Sequence, residues 1–181
     1  MIFLTSDQHY GHNNILRYVP ERPFSTVADM NKELVQRHNH AVKPGDTVIH
    51  LGDFAFGSKM QVAAYLARLN GTHIIIRGNH DRGFRALEQL GFALAVPELR
   101  LVVNCVRVLL THRMPTAKPD NADVVWHGHV HIDNDPASWR LNLCVENTGY
   151  RPMPLSAVLK MWRRKRNRLS PLPTNKEKKH D

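Results

Sequence analysis

The hydrophobic positions of this chain fall into two regimes, a helix-and-strand alternation up to about residue 98 and a run of strands after it. Ile2-Phe3-Leu4 is a short apolar run leading into Thr5-Ser6-Asp7, the pattern of a buried strand over residues 2–7. A polar, aromatic segment follows as far as Ser25. Val27, Met30 and Leu34 then recur at helical spacing behind Thr26 and Asp29, a pair suited to cap a helix that starts at Ser25 or Thr26. Residues 46–53 (DTVIHLGD) predict a second buried strand entering a Gly turn. Ser58 predicts the cap of a second helix, with Val62, Ala63, Leu66 and Leu69 on one face. Residues 72–81 (THIIIRGNHD) repeat the strand-to-polar-turn pattern, and a short helix follows around 83–90.

From Leu99 onward LRLVVN, VRVLLTH, DVVWHGHVH and RLNLCVE predict strands with few helical signals between them. A last amphipathic helix starts near Pro154, with Leu155, Val158, Leu159 and Trp162 on one side. Strands alternating with helices, then strands in succession, predict an α/β fold of two packed sheets with helices outside them.

A length of 181 residues with 42% hydrophobic positions suits one globular domain with a proper core. The chain has no uncharged apolar run of about 18 residues, and Asp7 arrives too early for a signal peptide. A soluble protein without a membrane partner is expected, with the cytoplasm as its compartment. Cys105 and Cys144 sit in apolar stretches and read as two small buried hydrophobes in a reducing compartment. The formal charge of +9 changes the picture only by its location. Residues 160–181 hold nine Lys or Arg against two acidic residues, a net +7, which leaves +2 for residues 1–159. The expected organisation is therefore one domain over 1–159 and a basic helix end and tail over 160–181. That tail reads first as a solvated helix face with a disordered end, and second as a nucleic-acid anchor.

Four apolar strands end in metal-competent groups: Asp7-Gln8-His9, Gly52-Asp53, Gly78-Asn79-His80-Asp81 and Gly128-His129-Val130-His131; a fifth ends in His112. Each alone has an ordinary reading, since GNHD makes a good turn and a single histidine is commonly structural. Their joint placement does not, because accidental histidines fall on helices and surfaces as often as at strand ends. In open α/β sheets the functional crevice lies outside the carboxyl ends of the strands, where these clusters can converge. The spacing of two in Asp7-x-His9 and His129-x-His131 puts both side chains on one face of an extended strand. Nitrogen and oxygen donors without thiolate suit Mn, Fe, Ni or Zn.

These motifs, in this order and rough spacing, resemble those of the calcineurin-like metallophosphoesterases over residues 1 to about 150. The opening SDQHYGHNNI is similar to a small prokaryotic and phage-type branch. The resemblance implies a four-layer α/β/β/α sandwich and two divalent ions, manganese being expected and Fe, Ni or Zn compatible. It implies that Asp7, His9, Asp53 and His131 hold one ion and Asp53, Asn79, His112 and His129 the other. It also implies a catalytic His80 near the scissile phosphate, oriented by Asp81.

Such a centre would cleave a phosphodiester or phosphomonoester through a bridging hydroxide, with His80 assisting the leaving group. Two divalent ions, the carboxylates of Asp7 and Asp53 and one hydroxide leave about +1, which attracts a phosphate. The expected partner is a phosphoester substrate, nucleotides and nucleic acid included. His12, Asn14, Tyr10, Arg17, Tyr18 and Arg22 are candidates to line the cleft, and Arg77, Arg82 and Arg113 to clamp phosphate. His38, His40, His50, His73 and His180 read as core-edge or surface residues, and His127 as structural. The competing readings are a non-catalytic metal-binding scaffold and a nucleic-acid binder anchored by its tail.

Overall fold

Parallel pairing at the amino-terminal half sets the direction in which every later functional segment points. The computed structural model of the chain describes residues 1–132 and 135–169. Its first half runs β1 (Ile2–Thr5), α1 (Ile15–Tyr18), α2 (Val27–Ala41), β2 (Thr47–His50), α3 (Lys59–Leu66), β3 (Thr72–Ile76), α4 (Phe84–Gln89) and β4 (Leu94–Val96). The second half runs β5 (Glu98–Val103), β6 (Val106–Thr111), β7 (Val124–His127), β8 (Arg140–Asn142), a 3-10 turn (Val145–Asn147), β9 (Met153–Pro154) and α5 (Leu155–Leu169).

The first sheet has the order β4-β3-β2-β1-β9. Phe3, Val48 and His73 are in register across β1, β2 and β3, all parallel, and only β9 runs antiparallel. The second sheet has the order β5-β6-β7-β8, antiparallel at the β5–β6 hairpin and parallel beyond it. The carboxyl ends of β1, β2 and β3 thus share one edge, and those of β6 and β7 share another. The predicted strands at 2–7, 46–53 and 72–81 exist, but each ends before its polar residues.

Side-chain alternation divides the core. Ile74 and Ile76 face the second sheet with Leu4, Ile49, Leu110 and Trp126, while Ile75 faces the helices with Met30, Leu34, Val62 and Leu66. Burial of side chains this size contributes about 1.5–3 kcal/mol each. The helix starts follow the sequence: Thr26 accepts from the Asp29 N–H, and Ser58 forms a capping box with Gln61. The outcome is mixed α/β, two sheets flanked by helices. No described helix is long and apolar enough to cross a membrane.

One expectation changes here. Asn104 and Cys105 form the β5–β6 turn with φ of 48° and 63°, so Cys105 is exposed; Cys144 is buried as expected. Alternation could not foresee this, because a two-residue hairpin turn sits inside an apolar stretch. Residue 159 lies within α5, whose Trp162 and Lys165 are buried beyond it. Residues 170–181, most of the expected tail, with His180, lie outside the described residues.

Candidate functional site

The loop after β1 leaves the strand at Ser6, which bridges to Cys144. Asp7 and His9 then adopt left-handed backbone conformations, φ 57° and 56°, and Asp53 and His129 do likewise at 52° and 72°. Left-handed backbone is unfavourable by about 1–3 kcal/mol for a residue with a Cβ and persists where surroundings impose it. The surroundings are visible: Asp7 N–H donates to Gly52 O (3.0 Å), His9 N–H to Asp53 O (3.1 Å) and Tyr10 N–H to Phe54 O (3.0 Å). The expectation of extended strands with both side chains on one face is therefore corrected. The pairs converge through these left-handed turns, beyond the ends of β1 and β7.

All seven expected ligands come together. His9 Nε2 lies 3.8 Å from Asp7 Oδ1 and 3.8 Å from Asp53 Oδ2. His112 Nε2 lies 3.4 Å from Asp53 Oδ2 and 2.9 Å from Asn79 Oδ1. The rings of His9 and His131 are 5.1 Å apart, and those of His112 and His129 5.0 Å. Donor atoms lie within 4.8 Å of one another in three sets: Asp7–His9–Asp53, Asp53–His112–His129 and Asp7–His131–Cys144. The Cys144 thiol donates to Asp7 Oδ2 at 3.2 Å, and burial pushes its pKa well up.

Close backbone approach makes this packing feasible. A Cβ on Gly52, where φ is +98°, would stand 2.6 Å from His112 Nδ1 and 2.7 Å from the Gly78 Cα. A Cβ on Gly128 would overlap Ser6 Oγ and Asp7 Oδ2.

The donor set fits a divalent ion on an observation of its own. Asp7 Oδ1 and both ring nitrogens of His9 are buried without a hydrogen-bond partner among the described residues. Leaving such groups unmet costs about 1–3 kcal/mol each, a cost that coordination removes. Burial alone would raise the Asp7 pKa, but the His9 imidazole 3.8 Å away and the nearby His112 and His131 outweigh it and hold it well below the carboxylate range. Asp53 is likewise lowered against its burial, through His112 and the His80 N–H donated to its Oδ1 at 2.9 Å. Both carboxylates are ionised. His112 donates its Nδ1–H to Leu51 O at 2.8 Å, which turns Nε2 into the cluster.

Around this centre the sequence reading needs correction at several points. Asp81 is buried, and its carboxylate accepts the backbone N–H groups of Asp53 (2.7 Å), Phe54 (3.0 Å) and Gly78 (2.8 Å). It braces the Asp53 turn against the Gly78 turn, where orientation of the His80 ring was expected. His80 itself is exposed, its ring 5.8 Å from His9 and 5.1 Å from Phe56. Arg22 does not line the cleft, and Tyr10 is part of the helix-side core. The Arg22 guanidinium lies behind the ligands, donating to Asp7 O (2.7 Å), Gln8 O (2.9 Å) and Glu146. Glu146 Oε1 in turn accepts the His131 Nδ1–H at 2.9 Å. Glu146 was missed because no spacing motif marks a carboxylate that follows an apolar strand.

His38, His50 and His73 are interior rather than peripheral. Gln8 Nε2 donates to Thr5 Oγ1 and reaches His50 Nδ1 at 3.1 Å, and His50 Nε2 meets His73 Nδ1 at 3.0 Å. Arg77 and Arg82 order their loops, through Arg82 O and Gly57 O. Arg77, Asn79, His112 and Arg113 line a depression of about 380 Å³ beside the cluster. His12 stacks on Phe56, with ring centroids 4.0 Å apart.

A family model described as the calcineurin-like phosphoesterase superfamily domain matches residues 1–149. The chain belongs to that superfamily. It is similar to Uncharacterized protein MJ1445 of Methanocaldococcus jannaschii, with 32% identity over 173 residues, covering 88% of this chain and 90% of the relative. Its fold is similar to the crystal structure of a protein of unknown function from Aquifex aeolicus, AQ665. There the TM-score is 0.72 at 26% identity, covering 89% of this chain and 98% of that one. Membership makes the chain a metal-dependent phosphoester hydrolase, consistent with the clustered donors.

Proposed function

We propose that this phosphoesterase domain holds two divalent ions, manganese by preference, and hydrolyses a phosphodiester or phosphomonoester. The observation that carries the reading is Asp53, whose carboxylate belongs to both the Asp7–His9 set and the His112–His129 set. A carboxylate shared between two donor sets serves paired ions. Asp7, His9, Asp53 and His131 would hold one, and Asp53, Asn79, His112 and His129 the other. When bound, such ions polarise phosphoryl oxygens and make water a nucleophile near neutral pH.

The residues of the chain supply the rest. Neutral imidazoles and the Asn79 amide keep the centre cationic, which favours a phosphate. His80 stands outside the donor sets on the exposed side, where it can give a proton to the departing oxygen. Arg113 offers a cation beside Asn79 and His112. Cytoplasmic residence fits two unbridged cysteines.

The test is hydrolysis of bis-p-nitrophenyl phosphate and p-nitrophenyl phosphate, with elemental analysis of the purified protein. Two metals per chain and loss of turnover in EDTA are expected. Absence of metal together with EDTA-insensitive turnover would refute the reading.

A further inference from the structure

The phosphoester site accounts for the clefts around His112 but leaves a groove of about 400 Å³ between α5 and the edge of β8. Asn142, Asn147, Arg164, Lys165 and Arg168 line it. Arg164 and Arg168 are one helical turn apart on the same side of α5, exposed, and without an ion-pair partner among the described residues. The helix carries six Lys or Arg over Lys160–Arg168 and no acidic residue. Like charges repel at that spacing, and a bound polyanion relieves them.

The groove touches the site through its floor. Asn147 Nδ2 donates to His131 O at 3.1 Å, and Asn142 Nδ2 donates to Val130 O. His9 lies 5.4 Å from His12, and the His12 ring lies 5.8 Å from that of Tyr18, a residue 64% exposed. The basic groove thus adjoins the centre at Val130 and His131, and an exposed aromatic residue adjoins it at His12. Those are the two features that hold single-stranded nucleic acid: cations that track phosphates and a ring that stacks a base. The ligands Asp7, His9 and Asp53 are buried, so a flexible single strand can present a phosphate to them more readily than a stiff duplex.

We propose that the α5–β8 groove binds the phosphate backbone of a single-stranded nucleic acid whose scissile phosphate lies at the Asp7–Asp53 centre, with Tyr18 stacking a base beyond it. This deepens the phosphohydrolase reading and rests on it for the cleavage step alone.

The test uses the full chain with manganese and a fluorescein-labelled oligothymidylate with a phosphorothioate backbone, followed by anisotropy between about 50 and 200 mM salt. Arg164→Ala/Arg168→Ala is expected to weaken binding at least 10-fold at the lower salt. It should also reduce the salt slope by about 1.4, two contacts at about 0.7 each for a single strand. Lys32→Ala/Lys59→Ala removes the same charge from exposed positions of α2 and α3 and should change binding less than twofold. Tyr18→Ala should weaken it about 5-fold or more, the stacking of one base. Bis-p-nitrophenyl phosphate turnover should be equal in wild type and both double variants.

Equal losses in the two double variants would reduce the effect to net charge and overturn the groove, as would unchanged binding in Arg164→Ala/Arg168→Ala. So would phosphatidylserine vesicles that lose affinity in that variant while oligothymidylate does not. If wild type turns over neither ester yet binds oligothymidylate with the expected slope, the hydrolase reading fails and the groove stands.

Discussion

Arg22 and Glu146, 124 residues apart in sequence, meet in a buried ion pair 2.7 Å long directly behind the donor cluster. The pair joins two ends of one site. Arg22 holds the carbonyls of Asp7 and Gln8, and Glu146 holds the Nδ1–H of His131. With Nδ1 so engaged, the other ring nitrogen of His131 is left for coordination, the carboxylate–histidine arrangement common at metal sites.

Glu146→Gln is therefore expected to act on metal binding from outside the donor set. It keeps the shape but leaves the Arg22 charge buried and uncompensated, a loss of about 3–5 kcal/mol when one partner of such a pair is removed. Manganese affinity should fall about 10- to 100-fold, the usual effect of an outer partner of a ligating histidine. Calorimetric titration with Mn²⁺ and a urea melt measure the two effects, and an unchanged affinity would show that the contact is inert.

Asp53 and His80 should separate binding from chemistry. Asp53→Ala removes the shared carboxylate, so metal content and hydrolysis of every ester should disappear together. His80→Ala should keep its metals and lower kcat about 10²- to 10⁴-fold, the scale of general acid–base assistance. The deficit should be smaller for p-nitrophenolate than for an alkoxide leaving group. A His80→Ala protein stripped of metal would assign the ring to the donor set instead.

At Gly52 the obstacle is geometric. Gly52→Ala places a methyl group against His112 Nδ1 and the Gly78 backbone at φ +98°. Destabilisation of at least about 1–3 kcal/mol is expected from overpacking, and weaker metal binding with it. A variant with wild-type melting and metal content would mean that the two turns can part without consequence.

The buried histidines predict a pH effect with a definite sign. Burial lowers the pKa of His38 to about 4 and that of His50 and His73 below the ordinary imidazole value. Unfolding frees His38 to titrate near 6.5, so the unfolded chain binds more protons between about pH 6.5 and 4, and stability falls as pH falls through that window. For His38 the full effect is about 3 kcal/mol. His38→Gln, which retains a donor for Asn70 O, should lose less stability between pH 7 and 4 than wild type does. Parallel urea midpoints for the two proteins over that range would contradict the burial argument.

Legibility followed periodicity and local chemistry. The caps at Thr26 and Ser58 and the α5 face of Val158, Leu159 and Trp162 stand where spacing put them, and the strands expected over 2–7 and 72–81 are found over 2–5 and 72–76, because each depends on neighbours within a few residues. The clustering of the seven residues proposed as ligands was legible through their joint occurrence at strand ends. The left-handed turns at Asp7, His9, Asp53 and His129 were not, since they are held by bonds to distant segments: Asp7 and His9 N–H to the Gly52 and Asp53 carbonyls, and His129 N–H to the Asp7 carboxylate. Arg22, Glu146 and the His38–His50–His73 group escaped for the same reason: a buried polar residue takes its meaning from a partner that sequence proximity does not name.

The donor residues are drawn from both sheets, Asp7, Asp53 and Asn79 following strands of the first, and His112 and His129 strands of the second. An ion held among them is a rivet across the seam where Ile49 and Ile76 meet Leu110 and Trp126. Metal at about 100 times its dissociation constant adds about 2.7 kcal/mol to the folded state. Starved of metal, the chain would therefore be lost to proteases as well as idle, its lifetime governed by the same ions as its turnover.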